Sequence, residues 1–182
     1  MAREHRLGLW RRWRQDQRGV SAVEFALVVP LLLMVYIGGL GTALGVATYR
    51  KLADVTVELG NVTAQYTTMS ATDVSNVMNA SAQIMAPYST TGLSIVLSEI
   101  TTNASGAATV TWSKTNGSGV ALTPGASVTL PAGMAVSSTS YIFVQTSYAY
   151  SPPILYDISG PISLADQIYI QPRQSASIPY TG

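Results

Sequence analysis

The chain has no cysteine, one histidine, two phenylalanines, and charged side chains at only 10% of its 182 positions. Without thiols there is no disulfide framework, no thiolate metal centre and no cysteine nucleophile, and sulfur chemistry leaves the compartment open. The lone His5 stands among the first arginines, which excludes a Ser-His-Asp relay in any domain that follows. Average proteins carry about 25% charged residues. The low charge, with an apolar share of 47%, excludes the disordered class. No cluster has metal-ligand spacing. Gly39-Leu40-Gly41 is followed by Leu44 where a phosphate loop needs its third glycine. Glu58, Asp73, Glu99, Asp157 and Asp166 stand singly. These absences predict a protein that is not an enzyme, with no catalytic residue, cofactor or metal.

The charge that is present is unevenly placed. Residues 1–19 hold Arg3, Arg6, Arg11, Arg12, Arg14 and Arg18 against Glu4 and Asp16, a net of +4. From Phe25 to Tyr49 there follow 25 residues without a formal charge. As a helix they extend roughly 37 Å, enough to cross a hydrocarbon core of about 30 Å. A buried core helix would be shorter and would show a polar face before Arg50. Cationic segments stay on the cytoplasmic side, so the amino terminus is expected inside and the bulk of the chain outside. Arg50 and Lys51 weaken that orientation without reversing it. Trp10 and Trp13 among the arginines suit headgroup depth. Six cations beside a span point to topology, so membrane lipid and not nucleic acid is the expected contact. A secretory signal competes with this reading: Gly45-Val46-Ala47 would be its cleavage site, releasing a soluble domain from Thr48. An uncleaved single-pass scaffold of the envelope is the third possibility.

Within the span, Gly41 and Gly45 form a small-xxx-small pair that lets another helix approach closely in lipid. Pro30 removes one intrahelical hydrogen bond, freeing the Ala26 carbonyl, and should bend the helix near its start. Glu24 lies between Val23 and Phe25 at the mouth of the apolar run, where a carboxylate is costly unless it finds a partner.

Arg18-Gly19-Val20-Ser21-Ala22-Val23-Glu24-Phe25 resembles the processing site of type IV pilin-like proteins, where a prepilin peptidase cuts after Gly and a Glu falls fifth in the mature chain. The continuation Ala26-Leu27-Val28-Val29-Pro30-Leu31-Leu32-Leu33 is similar to the TadE-like minor pilins, or pseudopilins, of the tight-adherence (Tad/Flp) pilus. Tyr148, Tyr150 and Pro152, with Gly160, Leu164 and the late Pro172-Arg173, resemble that family's Tyr-x-Tyr-x-Pro and Pro-Arg pattern. The resemblance implies cleavage between Gly19 and Val20, and a Glu24 carboxylate paired with the terminal amine of a neighbouring subunit. It also implies an inner-membrane protein with a periplasmic domain that assists pilus assembly for adhesion and biofilm. The implied partners are the prepilin peptidase, other minor pilins, the major pilin, and the membrane platform with its secretion ATPase.

The expected architecture is α+β. Residues 1–19 form a leader, 20–49 a transmembrane helix, 50–86 a helical stalk of one or two helices, and 87–182 a β-rich domain. Leu52, Val55, Leu59, Val62, Tyr66 and Met69 repeat at heptad-like spacing, predicting an apolar seam. Thr72 is the expected N-cap of a second helix with Val74, Val77, Met78, Ile84 and Met85 on one face, although one helix from Val20 to about Ala86 remains open. Beyond Thr90, strands are expected at about Leu93–Ile100, Thr109–Lys114, Ser140–Tyr148 and Ser163–Gln171, forming a small antiparallel sheet against the helices.

Overall fold

The computed structural model describes residues 19–152 and 160–182. Its first element is helix α1, Val20–Thr63, which extends about 66 Å at 1.5 Å per residue. The chain divides into two compact units inside this helix, after Thr42. In the first unit Phe25, Leu27, Leu31, Met34 and Tyr36 are each more than 60% exposed. In the second unit the helix becomes two-sided. Thr48, Leu52, Val55, Thr56, Leu59, Gly60 and Thr63 are buried, while Val46, Val57 and Val62 stay exposed.

The expected seam therefore holds at Leu52, Val55 and Leu59 but not beyond. Val62 faces outward, and Tyr66 and Met69 lie past the helix end, reaching the core from a turn. A continuous helix to Ala86 is ruled out by the same turn. The Met69 backbone is taken by the far end of the chain: its N–H donates to Pro179 O and its carbonyl accepts from Thr181 N–H. A residue so engaged cannot continue a helical ladder. Helix α2 then runs Ala71–Met85. Its N-cap is Ser70 rather than the expected Thr72, because Ser70 and Asp73 form a reciprocal capping box that Thr72, already in the first turn, cannot make. Val74, Val77, Met78 and Met85 are buried as the spacing predicts, and Ile84 is half-buried.

Five strands follow: β1 Leu93–Thr102, β2 Ala108–Asn116, β3 Ser127–Val128, β4 Ser140–Tyr150 and β5 Ile162–Ile170. They form one sheet in the order β3-β2-β1-β4-β5, with all neighbours antiparallel. Central β1 is buried on both faces. Leu93, Ile95 and Leu97 join Ile142, Val144 and Trp112 under the helices. On the other face Ile100, Ala108 and Phe143 pack with Leu122, Val128 and Leu130 from the connection between β2 and β4. Hydroxyls pin that connection in place: Ser113 Oγ accepts from Leu122 N–H, and Tyr141 Oη donates to Met134 O.

Two glycines are fixed by their surroundings. A Cβ on Gly60 would lie 2.7 Å from Ile170 Cδ1, so the glycine lets α1 cross closely over β5. Gly117 turns at φ +76°, and a Cβ there would collide with the Leu93 carbonyl oxygen.

Candidate functional site

Gly19 immediately precedes the first residue of α1 and is exposed, with no non-adjacent atom of the described residues within 4 Å of where its Cβ would stand. Val20 is 52% exposed. Glu24 is also exposed, one helical turn beyond Val20. Four residues of α-helix separate them by about 6 Å along the axis. Pro30 lies inside α1, and the helix continues through it. The most apolar stretch of α1 is long enough to cross a membrane, and none of it is buried within the chain. The leader arginines, His5, Trp10 and Trp13 lie outside the described residues, as does Asp157.

Threonine hydroxyls in an apolar helix are readily satisfied by the helix's own backbone. Thr42, Thr48 and Thr56 each donate to the carbonyl four residues back, at 2.9 Å. Of the predicted small-residue pair, Gly41 is half-buried in the first unit. In the second, a Cβ on Gly45 would lie 3.6 Å from the Tyr150 ring, an ordinary contact. That side of Gly45 faces its own domain.

Tyr148 and Tyr150 both point to the helix face of β4 and belong to the main core. With Leu44, Tyr88 and Ser151 they line a cavity of about 440 Å³. Burial, and then the nearby Tyr88 and Tyr148 hydroxyls, push the Tyr150 phenol above its ordinary range. Burial and Tyr88 do the same for Tyr148. The Tyr150 hydroxyl has no hydrogen-bond partner among the described residues. Pro152 is buried just after β4. Arg173 clips the end of α1: its backbone N–H donates to Ala64 O at 2.8 Å, and its guanidinium donates to Asn61 Oδ1 at 2.8 Å. The structure thus divides the sequence-predicted residues into two groups. Gly19, Val20 and Glu24 stand free on the helix, whereas Tyr148, Tyr150, Pro152 and Arg173 hold the domain together.

Sequence reasoning missed the role of Glu99. Its carboxylate is 1% exposed and accepts from Ser140 Oγ–H at 2.7 Å and Ile178 N–H at 2.6 Å. The Ile178 carbonyl in turn accepts from Trp112 Nε1–H at 2.7 Å. The single charged residue of β1, in alternation with inward-facing Leu93, Ile95 and Leu97, was the available signal. Among the described residues no three His, Asp or Glu side chains converge.

Residues 19–59 match the family model for TadE-like proteins. The chain carries a TadE-like domain. That match supports a place among the minor pilins of the Tad pilus system, and the TadE-like segment begins at the glycine that precedes α1. No curated protein and no solved structure matches the chain significantly.

Proposed function

We propose that this TadE-like chain is a minor pilin without enzymatic activity, anchored in the inner membrane by α1 and cut after Gly19 by a prepilin peptidase. Its partners are then the other minor pilins, the major pilin and the ATP-driven membrane platform, and its role is in building Tad pili for adhesion. The observation that carries this reading is the coincidence of three boundaries at one residue. The basic leader ends, the TadE-like match starts and the exposed helix begins at Gly19 and Val20.

Cleavage there removes the +4 leader and creates an amine at Val20, cationic at neutral pH. At the edge of a low-dielectric core that cation and a neighbour's Glu24 attract far more strongly than in water. An unpaired Glu24 is penalised for the same reason. One ion pair therefore favours assembly over the isolated subunit.

The rival cut after Ala47 fits poorly. It would fall inside an unbroken helix and expose Thr48, which is fully buried, while stripping Leu44 from the core. The test is the intact mass of the native protein. The expected amino terminus is Val20, whereas Met1 or Thr48 would reject this reading. Gly19→Val should block processing without disturbing the domain, since a side chain at 19 meets nothing among the described residues. Glu24→Ala should insert and mature normally but fail to assemble; normal incorporation would remove the ion-pair account.

A further inference from the structure

Leu44 belongs to two surroundings at once. It lies within the charge-free run from Phe25 to Tyr49, and it forms one wall of the cavity of about 440 Å³ at the end of β4. The Tyr150 ring rests against α1 beside it, 3.6 Å from where a Cβ on Gly45 would stand. Arg50 and Lys51 close the run, about 9–10 Å further along the helix than Leu44. A run of roughly 37 Å exceeds a hydrocarbon core of about 30 Å. In the anchored chain its last turns, with Leu44, therefore lie where acyl chains give way to headgroups, a depth that suits tyrosine. Tyr49, at the end of the run, is 41% exposed.

The lining of the cavity divides by chemistry. Leu44 and the rings of Tyr88, Tyr148 and Tyr150 supply apolar wall, and the hydroxyls of exposed Ser89, Thr91 and Ser151 stand around them. No charged side chain lines it among the described residues. Tyr150 is 7% exposed, and its hydroxyl is left without a partner there. A buried donor without an acceptor is costly, so a guest that fits must bring an oxygen. A free phosphate calls for cations that this lining lacks, and a bare hydrocarbon leaves the phenol unpaired. A carboxylic ester at the head of an alkyl chain meets both demands, and the volume lies within the ligand range of about 300–1,000 Å³.

We propose that this cavity takes the ester end of one glycerophospholipid acyl chain from the surrounding leaflet, its methylenes against Leu44 and the tyrosine rings and its ester carbonyl accepting from Tyr150 Oη–H. The proposal rests on the proposed function only in that α1 is anchored in a membrane. Three elements meet at the guest: α1 through Leu44, β4 through Tyr148 and Tyr150, and the turn after α2 through Tyr88. One lipid thus joins the near end of the folded domain to the leaflet.

The full-length chain is reconstituted into vesicles of phosphatidylethanolamine and phosphatidylglycerol that carry a trace of phosphatidylcholine with a diazirine on its acyl chain near the ester. After illumination the adducts are mapped by peptide mass spectrometry. Label is expected on residues 88–91 and 148–151 as well as along 25–43. Tyr150→Phe keeps the ring and drops only an unpaired hydroxyl, so the fold is untouched, and Thr91→Trp puts a bulky ring at the exposed mouth. Each should cut the label at 88–91 and 148–151 by about threefold or more, the scale of one hydrogen bond, and leave the label along 25–43 unchanged. Absence of label at 88–91 and 148–151, or indifference of that label to either variant, would overturn the proposal. Resistance to alkaline carbonate is read on the same vesicles. A chain released by carbonate would reject the anchor itself, whereas a retained chain without cavity label would reject the lipid alone.

Discussion

Two threonines on α1 show how differently one hydroxyl can behave in the same core. Thr56 Oγ1 donates to Leu52 O and lies 2.6 Å from Thr146 Oγ1, tying the helix to β4. Thr63 Oγ1, equally buried, has no partner among the described residues. Replacing a buried unpaired hydroxyl by a methyl of the same shape removes a desolvation cost, whereas removing half of a bonded pair strands the other half. Thr63→Val should therefore raise stability by about 1 kcal/mol, and Thr56→Val should lower it by about 1–2 kcal/mol. Urea denaturation of the detergent-solubilised chain measures both, and equal shifts would contradict the assignment. Neither role is visible in the sequence, where both are threonines in a helical stretch. Glu99 was legible only as an anomaly, because its partners Ser140 and Ile178 are remote in the chain.

Among the elements, α1 was readable from its uncharged run and α2 from its apolar spacing, but the break between them was not. Residues 64–70 contain no glycine or proline; what stops the helix is the backbone pairing of Met69 with Pro179 and Thr181, a tertiary effect. Strands β1 and β4 each run two residues further than alternation suggested, since ladder pairing continues past the apolar stretch. The two-residue β3 has no pattern to read. No strand was expected between 117 and 139, where scattered contacts from Leu122, Val128 and Leu130 and hydroxyl and backbone bonds hold the segment to the sheet. Helix α2 supplies a pH test. Ser70 Oγ–H and N–H donate to the Asp73 carboxylate and hold it below its ordinary 3.8. The unfolded chain then takes up that proton first as pH falls. The contribution is complete above the ordinary carboxylate range and fades as pH drops through the lower folded value. Ser70→Ala should cost about 1 kcal/mol at neutral pH and flatten this acid dependence; an unchanged acid slope in circular dichroism would argue against the box.

Across the whole molecule, the division of labour follows the two groups of residues at the site. The TadE-like segment presents its amino-terminal residues outward, with Gly19, Val20 and the Glu24 carboxylate all exposed. Glu99, Trp112 and Arg173 in the rest of the chain find their hydrogen-bond partners internally. This explains why the amino-terminal motif could be read directly while Tyr148, Tyr150 and Arg173 could not be given a role. Their task is to fit partners that only folding brings near. Truncation after Pro172 should leave Trp112 Nε1 and the Glu99 carboxylate without their Ile178 partners and empty the space of a fully buried isoleucine. A loss of about 3 kcal/mol or more is expected from the cavity and stranded polar groups together. Near-native protease resistance of that truncation would contradict the account.

The clasp formed by Met69, Trp112 and Ile178 also sets an order of events. Its final piece, Ile178, lies 66 residues beyond Trp112, so during synthesis the sheet waits open-sided until that piece has been made. In the proposed anchored form, α1 is threaded first and would hold the unfinished domain in one place through this interval.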